Sequence, residues 1–452
     1  MGWIHNLQTI WKHTFVQDVD GLVKSRRWVF VGNLTSNALS FLVSQSFYTA
    51  LLLVLFRGEP DSLRNEYLGR LAILQTATGF LQLFSPLILE RMKKRKVFLM
   101  TFRWLYHFFN IVGLGVTPLL PFSIEVKATI FVAMATLMSV CLAIYSPGLS
   151  AWHVYSYGEE TRSDYITILN MSNNVVSQLL YLLTGVFLDL FTKNEKEMTA
   201  VLIMRGVAVL FVALEGKAFW QVKEPVYRTS EKKPSSMEIL TVPLRHPRYL
   251  LVALIAGMTT FSNNLSAAYY MPYLVDTAGV SYTAIGVISV LSVPLSLLVT
   301  PVWNRWIQRY GWYKIQGISL PLYYAVYIFN GLTTATTHSM YYIGTIYCTV
   351  VGVGMNLVNS NLPFMEAPTE GRSSCLAFYS AFGAAMGLLG SWLGKVFINR
   401  TEGKLIEIFG LPLPNVAYAC FLTFFGGLIV TVLIWIAYAL EKKEKKLQGV
   451  AV

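Results

Sequence analysis

Twelve apolar stretches, each long enough to cross a bilayer and joined by short polar links, leave this chain a single class of fold. A bilayer core takes about 20 apolar residues as a helix. In lipid, every backbone N–H and C=O has to be satisfied within its own segment, which selects helices. The runs lie near 29–56, 65–89, 97–119, 124–147, 163–189, 199–221, 248–275, 282–307, 312–333, 340–362, 373–398 and 412–440. Only 13% of residues are charged, against about a quarter in a soluble domain, too little polar surface to cover a soluble core of this size. The sequence therefore predicts an all-α integral membrane protein with twelve transmembrane helices.

Basic residues set the orientation, because cytoplasmic loops collect Lys and Arg. With the N-terminus inside, inner segments hold 25 of the 36 basic residues and outer ones nine; Arg103 and Arg205 fall within spans. The inner set includes Lys24, Arg26, Arg27, the run from Arg91 to Lys96, Arg305, Arg309, Lys314 and the tail from Lys442 to Lys446. Both termini are then cytoplasmic. The longest hydrophilic stretch, punctuated by Pro234, Pro243 and Pro247, reads as a central linker. The predicted organisation is a cytoplasmic segment 1–28, a six-helix bundle 29–221, the linker 222–247, a second six-helix bundle 248–440 and a cytoplasmic tail 441–452.

The net charge of +12 is on this reading a topology signal, not a nucleic-acid surface. Cys141, Cys348, Cys375 and Cys420 sit inside apolar runs with no CxxC pair, and the six histidines show no metal spacing. No metal, cofactor or catalytic residue is expected. No GxxxxGK[ST] loop is present to bind ATP. Residues 1–27 carry Asp18 and Asp20 and read as a cytoplasmic lead-in, not a cleaved signal.

Three pairs of segments repeat between the halves. Arg27-Trp28 opens span 1 and Arg248-Tyr249 opens span 7. Pro86 to Lys96 follows span 2, and Asn304 to Lys314 follows span 8. Glu160 and Arg162 lead into span 5, Glu370 and Arg372 into span 11. The offsets, 221, 218 and 210, fall in chain order. The loops after spans 2 and 8 resemble the Gly-x-x-x-Asp-Arg-x-Gly-Arg-Arg-Lys pattern of the major facilitator superfamily. In the first copy Glu90 takes the acidic position and Arg91, Lys94, Arg95 and Lys96 the basic ones, while Pro86 and Lys93 replace the glycines. In the second, Arg309, Gly311 and Lys314 match, and Asn304 and Gln308 depart. The resemblance covers nearly the whole chain. It implies two pseudo-symmetric six-helix bundles, alternating access by a rocker-switch, and a central cavity mainly from helices 1, 4, 7 and 10. It also implies an inner gating network of Glu90, Arg91, Arg95, Glu160, Arg162, Arg309, Glu370 and Arg372.

Polar residues within a span face protein or water. Asn33, Asn37, Ser40, Ser44 and Tyr48 share one face of span 1. Thr260, Asn263, Ala267 and Tyr270 share one of span 7, and Thr345, Thr349, Gly352, Asn356 and Asn359 one of span 10. Span 5 carries Asn170, Asn174 and Gln178. The residues expected to face the solute are Asn37, Ser40, Ser44, Tyr48, Asn174, Gln178, Asn263, Tyr270, Thr349 and Asn356. Such residues also join packed helices. Their neutrality favours a neutral or weakly polar organic solute.

Arg103, Arg205 and Glu215 lie within spans 3 and 6, where a charge is costly unless paired or solvated. Arg103 is read as snorkelling to the inner surface, Arg205 as pairing structurally ahead of binding an anion, and Glu215 as facing the inner interface beside Lys217. No acid lies mid-span in spans 1, 4, 7 or 10, so His107 and Glu215 remain the titratable candidates for ion coupling. The resulting reading is a secondary active or facilitative carrier of a small solute in the cell membrane, a monomer in contact with solute and lipid bilayer. The alternatives are a membrane transferase, for which His13 and Asp18 supply an H-x-x-x-x-D spacing, and a transporter-derived sensor.

Overall fold

The structure, a computed structural model, describes residues 11–18, 21–43, 51–52, 54–83, 85–89, 92–157, 161–192, 196–224, 243–366, 372–408 and 411–447. Its principal helices are α1 (Val23–Leu42), α2 (Asp61–Thr78), α3 (Lys96–Phe108), α4 (Ile124–Ser156), α5 (Arg162–Thr192), α6 (Glu197–Gln221), α7 (Pro247–Asn264), α8 (Tyr282–Tyr310), α9 (Trp312–Tyr324), α10 (Ser339–Met365), α11 (Arg372–Arg400) and α12 (Asn415–Leu447). Between α11 and α12 lies an antiparallel hairpin, β1 (Ile406–Ile408) and β2 (Leu411–Leu413), with Ile406 opposite Leu413.

Helical residues overlie all twelve predicted runs. Among the described residues, nine helices are long and apolar enough to cross a membrane. The other three runs have local reasons to fall short. The polar stripe and basic start of α1 lower its hydropathy, α2 carries Asp61, Arg64, Glu66 and Arg70, and α9 breaks at Ala325. In the other direction, α4 runs past its predicted end to Ser156, because Leu149 and Trp152 bury into the core there and Trp152 Nε1 donates to the Lys223 carbonyl at 3.1 Å.

The chain forms two compact units, 1–57 with 81–231 and 281–290, and 58–80 with 232–280 and 291–452. In the first, α1 packs on α5 and α6, and α3 on α4. In the second, α7 packs on α11 and α12, and α9 on α10. Each of these three contacts of the first unit recurs six helices later, the pattern expected of a duplicated bundle. The units are not contiguous halves: α2 belongs with α11 in the second, and the start of α8 with α5 in the first.

The α7–α11 contact is backbone against backbone. A Cβ added at Gly390 would stand 2.3 Å from the Phe261 carbonyl oxygen, and one at Gly394 2.3 Å from that of Leu265. Such close approach is a chief source of helix attraction in lipid, where no hydrophobic drive operates between helices. In the first unit, α5 and α8 cross at Gly185 and Gly286. Beside that crossing, the Asp189 carboxylate accepts from the N–H groups of Tyr282 (3.2 Å) and Thr283 (2.7 Å), satisfying donors that open α8.

Candidate solute site

In the second unit, α10 lays Tyr341, Thr345, Cys348, Gly352 and Asn356 along one face at helical spacing, with Thr349 beside them. The chain beyond the break in α9 restarts as a short helix, Val326–Gly331, so Tyr323, Tyr327 and Asn330 turn toward the same space. Tyr270, on the short helix Ala267–Pro272, and Ser296 of α8 complete a cavity of about 490 Å³. That volume suits a small molecule.

The walls are neutral throughout. Tyr270 Oη donates to Asn330 Oδ1 at 2.9 Å, and Tyr327 Oη to Asn263 Oδ1 at 3.2 Å. Thr349 Oγ1 bonds Ser292 Oγ at 3.0 Å. The Asn356 amide is exposed and makes no hydrogen bond among the described residues. A charged solute entering here would shed hydration without meeting a countercharge. An uncharged one finds free amide groups and four tyrosine rings.

Of the ten residues expected to face the solute, Tyr270, Thr349 and Asn356 come together in this cavity, and Asn263 supports it through Tyr327. Ser44 and Tyr48 lie outside the described residues. Asn37 spends its amide on α5, donating to the Asn173 carbonyl at 2.9 Å and Ser177 Oγ at 2.7 Å. Ser40 bonds its own helix at the Ser36 carbonyl, 2.9 Å away. Asn174 is exposed and Gln178 half-buried on α5. Tyr323, Tyr327 and Asn330 are additions; their spacing of four and three in span 9 was the available signal.

Of the expected gating residues, Glu90, Arg91, Glu160 and Glu370 lie outside the described residues, as do the side chains of Arg162 and Arg372, which start α5 and α11. Arg309 is exposed, with its guanidinium 5.4 Å from the Tyr310 ring centre. Arg95 donates its backbone N–H to Glu224, and the Lys96 N–H reaches the same oxygen at 2.9 Å. Lys96 Nζ in turn caps the end of α6, donating to the carbonyls of Trp220 (2.6 Å) and Val222 (3.0 Å). Glu224 thus holds the start of α3, a role with no signal in its sequence surroundings.

Two expectations for spans 3 and 6 need correction. Arg103 does not snorkel and Glu215 does not face the interface; their side chains are 6% and 0% exposed and meet each other. Compensation lies closer than the surface: Arg103 Nε is 2.9 Å from Glu215 Oε2, and Nη2 bonds Oε1. Nη2 also donates to Ser36 Oγ on α1 at 2.5 Å. The guanidinium lies over the rings of Tyr145 and Phe219. His107 Nε2 joins at 2.9 Å from Glu215 Oε2. Arg205 has the structural role expected of it. Its Nη1 donates to the carbonyls of Asn110 and Ile111, where α3 runs into a π-helical turn, Phe109–Gly113. Backbone groups that leave the helical ladder in lipid need such a partner.

A family model described as Major Facilitator Superfamily matches residues 34–391. No curated protein matches the chain in sequence. Among solved structures, the POT family transporter PepTSo is similar with a TM-score of 0.69 at 10% identity, covering 93% of this chain and 98% of that one. A bacterial homologue of the iron transporter ferroportin reaches 0.68 at 14% identity, covering 93% and 99%. A D-xylose-proton symporter reaches 0.66 at 12% identity, covering 91% and 96%. At these identities the likeness is one of fold.

Proposed function

Because the chain belongs to the major facilitator superfamily, we propose that it carries a small uncharged organic solute across a membrane by alternating access. The observation that carries the choice of solute is the neutral, tyrosine-rich cavity of α8–α10, with Tyr270, Thr349 and Asn356 among its walls. The titles of two structural relatives name iron and D-xylose transport, cargoes of different charge. The chemistry of the wall selects among such classes, and it favours the uncharged ones.

The same reading includes twelve spans, both termini in the cytoplasm, bundles 29–221 and 248–440 joined by the linker 222–247, and residence in the cell membrane as a monomer. Asn174 and Gln178 supply neutral polar groups of the first bundle, Asn37 and Ser40 serve helix contacts, and Arg95 and Arg309 belong to the inner gate. Uptake by proteoliposomes tests the function. A panel of neutral, anionic and cationic solutes, with and without a pH gradient, is expected to show accumulation of neutral members. Uptake confined to charged solutes would sink the assignment. Cysteine labelling near positions 93 and 232 is expected only from the cytoplasmic side, and labelling from outside would reverse the topology.

A further inference from the structure

The outward faces of α3 and α6 are exposed at helical spacing, through Thr101, Trp104 and Phe108 on the first and Leu210, Leu214, Lys217 and Gln221 on the second. They meet where the Trp104 ring beds on Gly216: a Cβ there would stand 3.3 Å from Trp104 Nε1. The exposed Trp220 ring lies beside that of Trp104, 15° from parallel, with centres 6.4 Å apart. Lys217 interrupts the apolar stripe of α6. It places a cation about 6 Å, four residues, short of the helix end at Gln221, with Leu214 and Leu210 behind it. A charge facing lipid there is costly unless it is paired or solvated.

A lysine in such a place ordinarily turns its stem toward the nearer surface. Helix geometry opposes that turn here, because Cα–Cβ bonds tilt toward the helix N-terminus, which for α6 lies across the bilayer from its near end. Glu215, the acid nearest in sequence, is buried and closed on Arg103. A second cation stands close by. Lys96 Nζ is 5.3 Å from the centre of the Trp220 ring while it donates to the carbonyls of Trp220 and Val222. At these helix ends Lys93, Lys94 and Lys223 are exposed as well, and the acid among them, Glu224, accepts from the N–H groups of Arg95 and Lys96. From the helix ends inward, the face presents cations, then two indoles, then apolar side chains. Head group, glycerol esters and acyl chains follow in the same order in an anionic phospholipid.

We propose that this face binds one anionic phospholipid, with its phosphate on Lys217 in the field of Lys96. Its glycerol esters lie at the level of Trp104 and Trp220, and an acyl chain runs along Leu214, Leu210 and Phe108. A zwitterionic lipid brings its own ammonium to the same cations and gains less from them. The indoles serve both kinds of lipid, because both carry the same glycerol esters. The lipid touches α3 and α6 together, so it stabilises the packing of the two helices.

The test is native mass spectrometry of the full chain in mild detergent, titrated with phosphatidylglycerol or phosphatidylcholine, in which no transported solute is needed. The first phosphatidylglycerol is expected to bind about fivefold more tightly than the first phosphatidylcholine. Lys217→Gln is expected to abolish that preference and Lys217→Arg to keep it. Lys443→Gln, which removes an exposed charge from the tail, is expected to leave it unchanged. Trp220→Leu is expected to weaken both lipids alike. Equal binding of the two lipids by the unaltered chain overturns the proposal. A loss in Lys443→Gln as large as in Lys217→Gln overturns the location, since net charge alone would then attract the lipid. Displacement of the lipid by millimolar inorganic phosphate overturns the choice of occupant and makes the site one for a free anion. A failed solute panel leaves these results standing.

Discussion

Among the described residues, the first unit buries charged side chains, with Arg103 closed on Glu215, whereas the second lines a cavity with neutral polar ones. Arg103, Glu215 and Arg205 each find their partners within the first bundle. Tyr323, Asn330 and Asn356 of the second keep polar atoms facing open space. The packing plan beneath is shared, since three helix contacts of the first unit recur six helices on. Duplication therefore repeats the way helices are held together while leaving the buried polar side chains free to diverge. One copy is suited to holding charge, the other to holding a solute.

The largest expected effect tests the closed side. Glu215→Gln leaves the Arg103 guanidinium buried without an anion, a change worth about 3–5 kcal/mol. Thermal unfolding in detergent is expected to show a large loss of stability, and a loss below about 1 kcal/mol would remove the distinction between the units. Glycine contacts come next. A Cβ at Gly32 on α1 would meet the Phe219 ring, whereas one at Gly390 on α11 would meet the Phe261 backbone, both at 2.3 Å. A ring can swing and a carbonyl cannot. Gly390→Ala is thus expected to cost about 1–3 kcal/mol and Gly32→Ala less; equal losses would mean that both contacts are equally rigid.

Two smaller effects sharpen the contrast between asparagines and between cysteines. Asn356→Leu is expected to lower solute uptake about tenfold with no change in thermal midpoint, since its amide has no hydrogen-bond partner among the described residues. Asn37→Leu is expected to do the reverse: it removes the tie to Asn173 and Ser177 and costs about 1 kcal/mol of stability, with uptake per folded molecule near normal. Exchanged outcomes would move the solute site into the first unit. Cys141, Cys375 and Cys420 are buried, and Cys348 is half-buried in the cavity wall. A maleimide is expected to modify Cys348 first, at a rate that a transported solute slows modestly; labelling indifferent to every transported solute would detach the cavity from transport.

The membrane class was legible because lipid imposes one rule on every span. The repeat was legible because Arg, Lys and Glu recur in loops at nearly constant offsets. The cavity was legible in part. The polar face of span 10 keeps its register, since α10 runs unbroken past Thr349 and Asn356 and brings both to the cavity wall. The stripe of span 1 carried the same signal, yet Asn37 turned out to be bonded to α5, because spacing reports a shared face and not what lies opposite. Tyr323 and Tyr327 lie in an aromatic segment whose break at Ala325 no composition announces. The pairing of Arg103 with Glu215 spans 112 residues of chain. Each residue alone reads as a surface charge near a span end, and only the approach of α3 to α6 reveals the partner.

The placement of residues 281–290 in the first unit bears on how the protein is made. A ribosome delivers α5 about 90 residues before it delivers the segment that seats against Gly185 and Asp189, a wait of roughly 5–20 s at ordinary elongation rates. During that interval the Asp189 carboxylate has none of the amides it later receives, and the earlier bundle stands unfinished in the bilayer. A chain severed in the linker would leave neither fragment in possession of a whole unit.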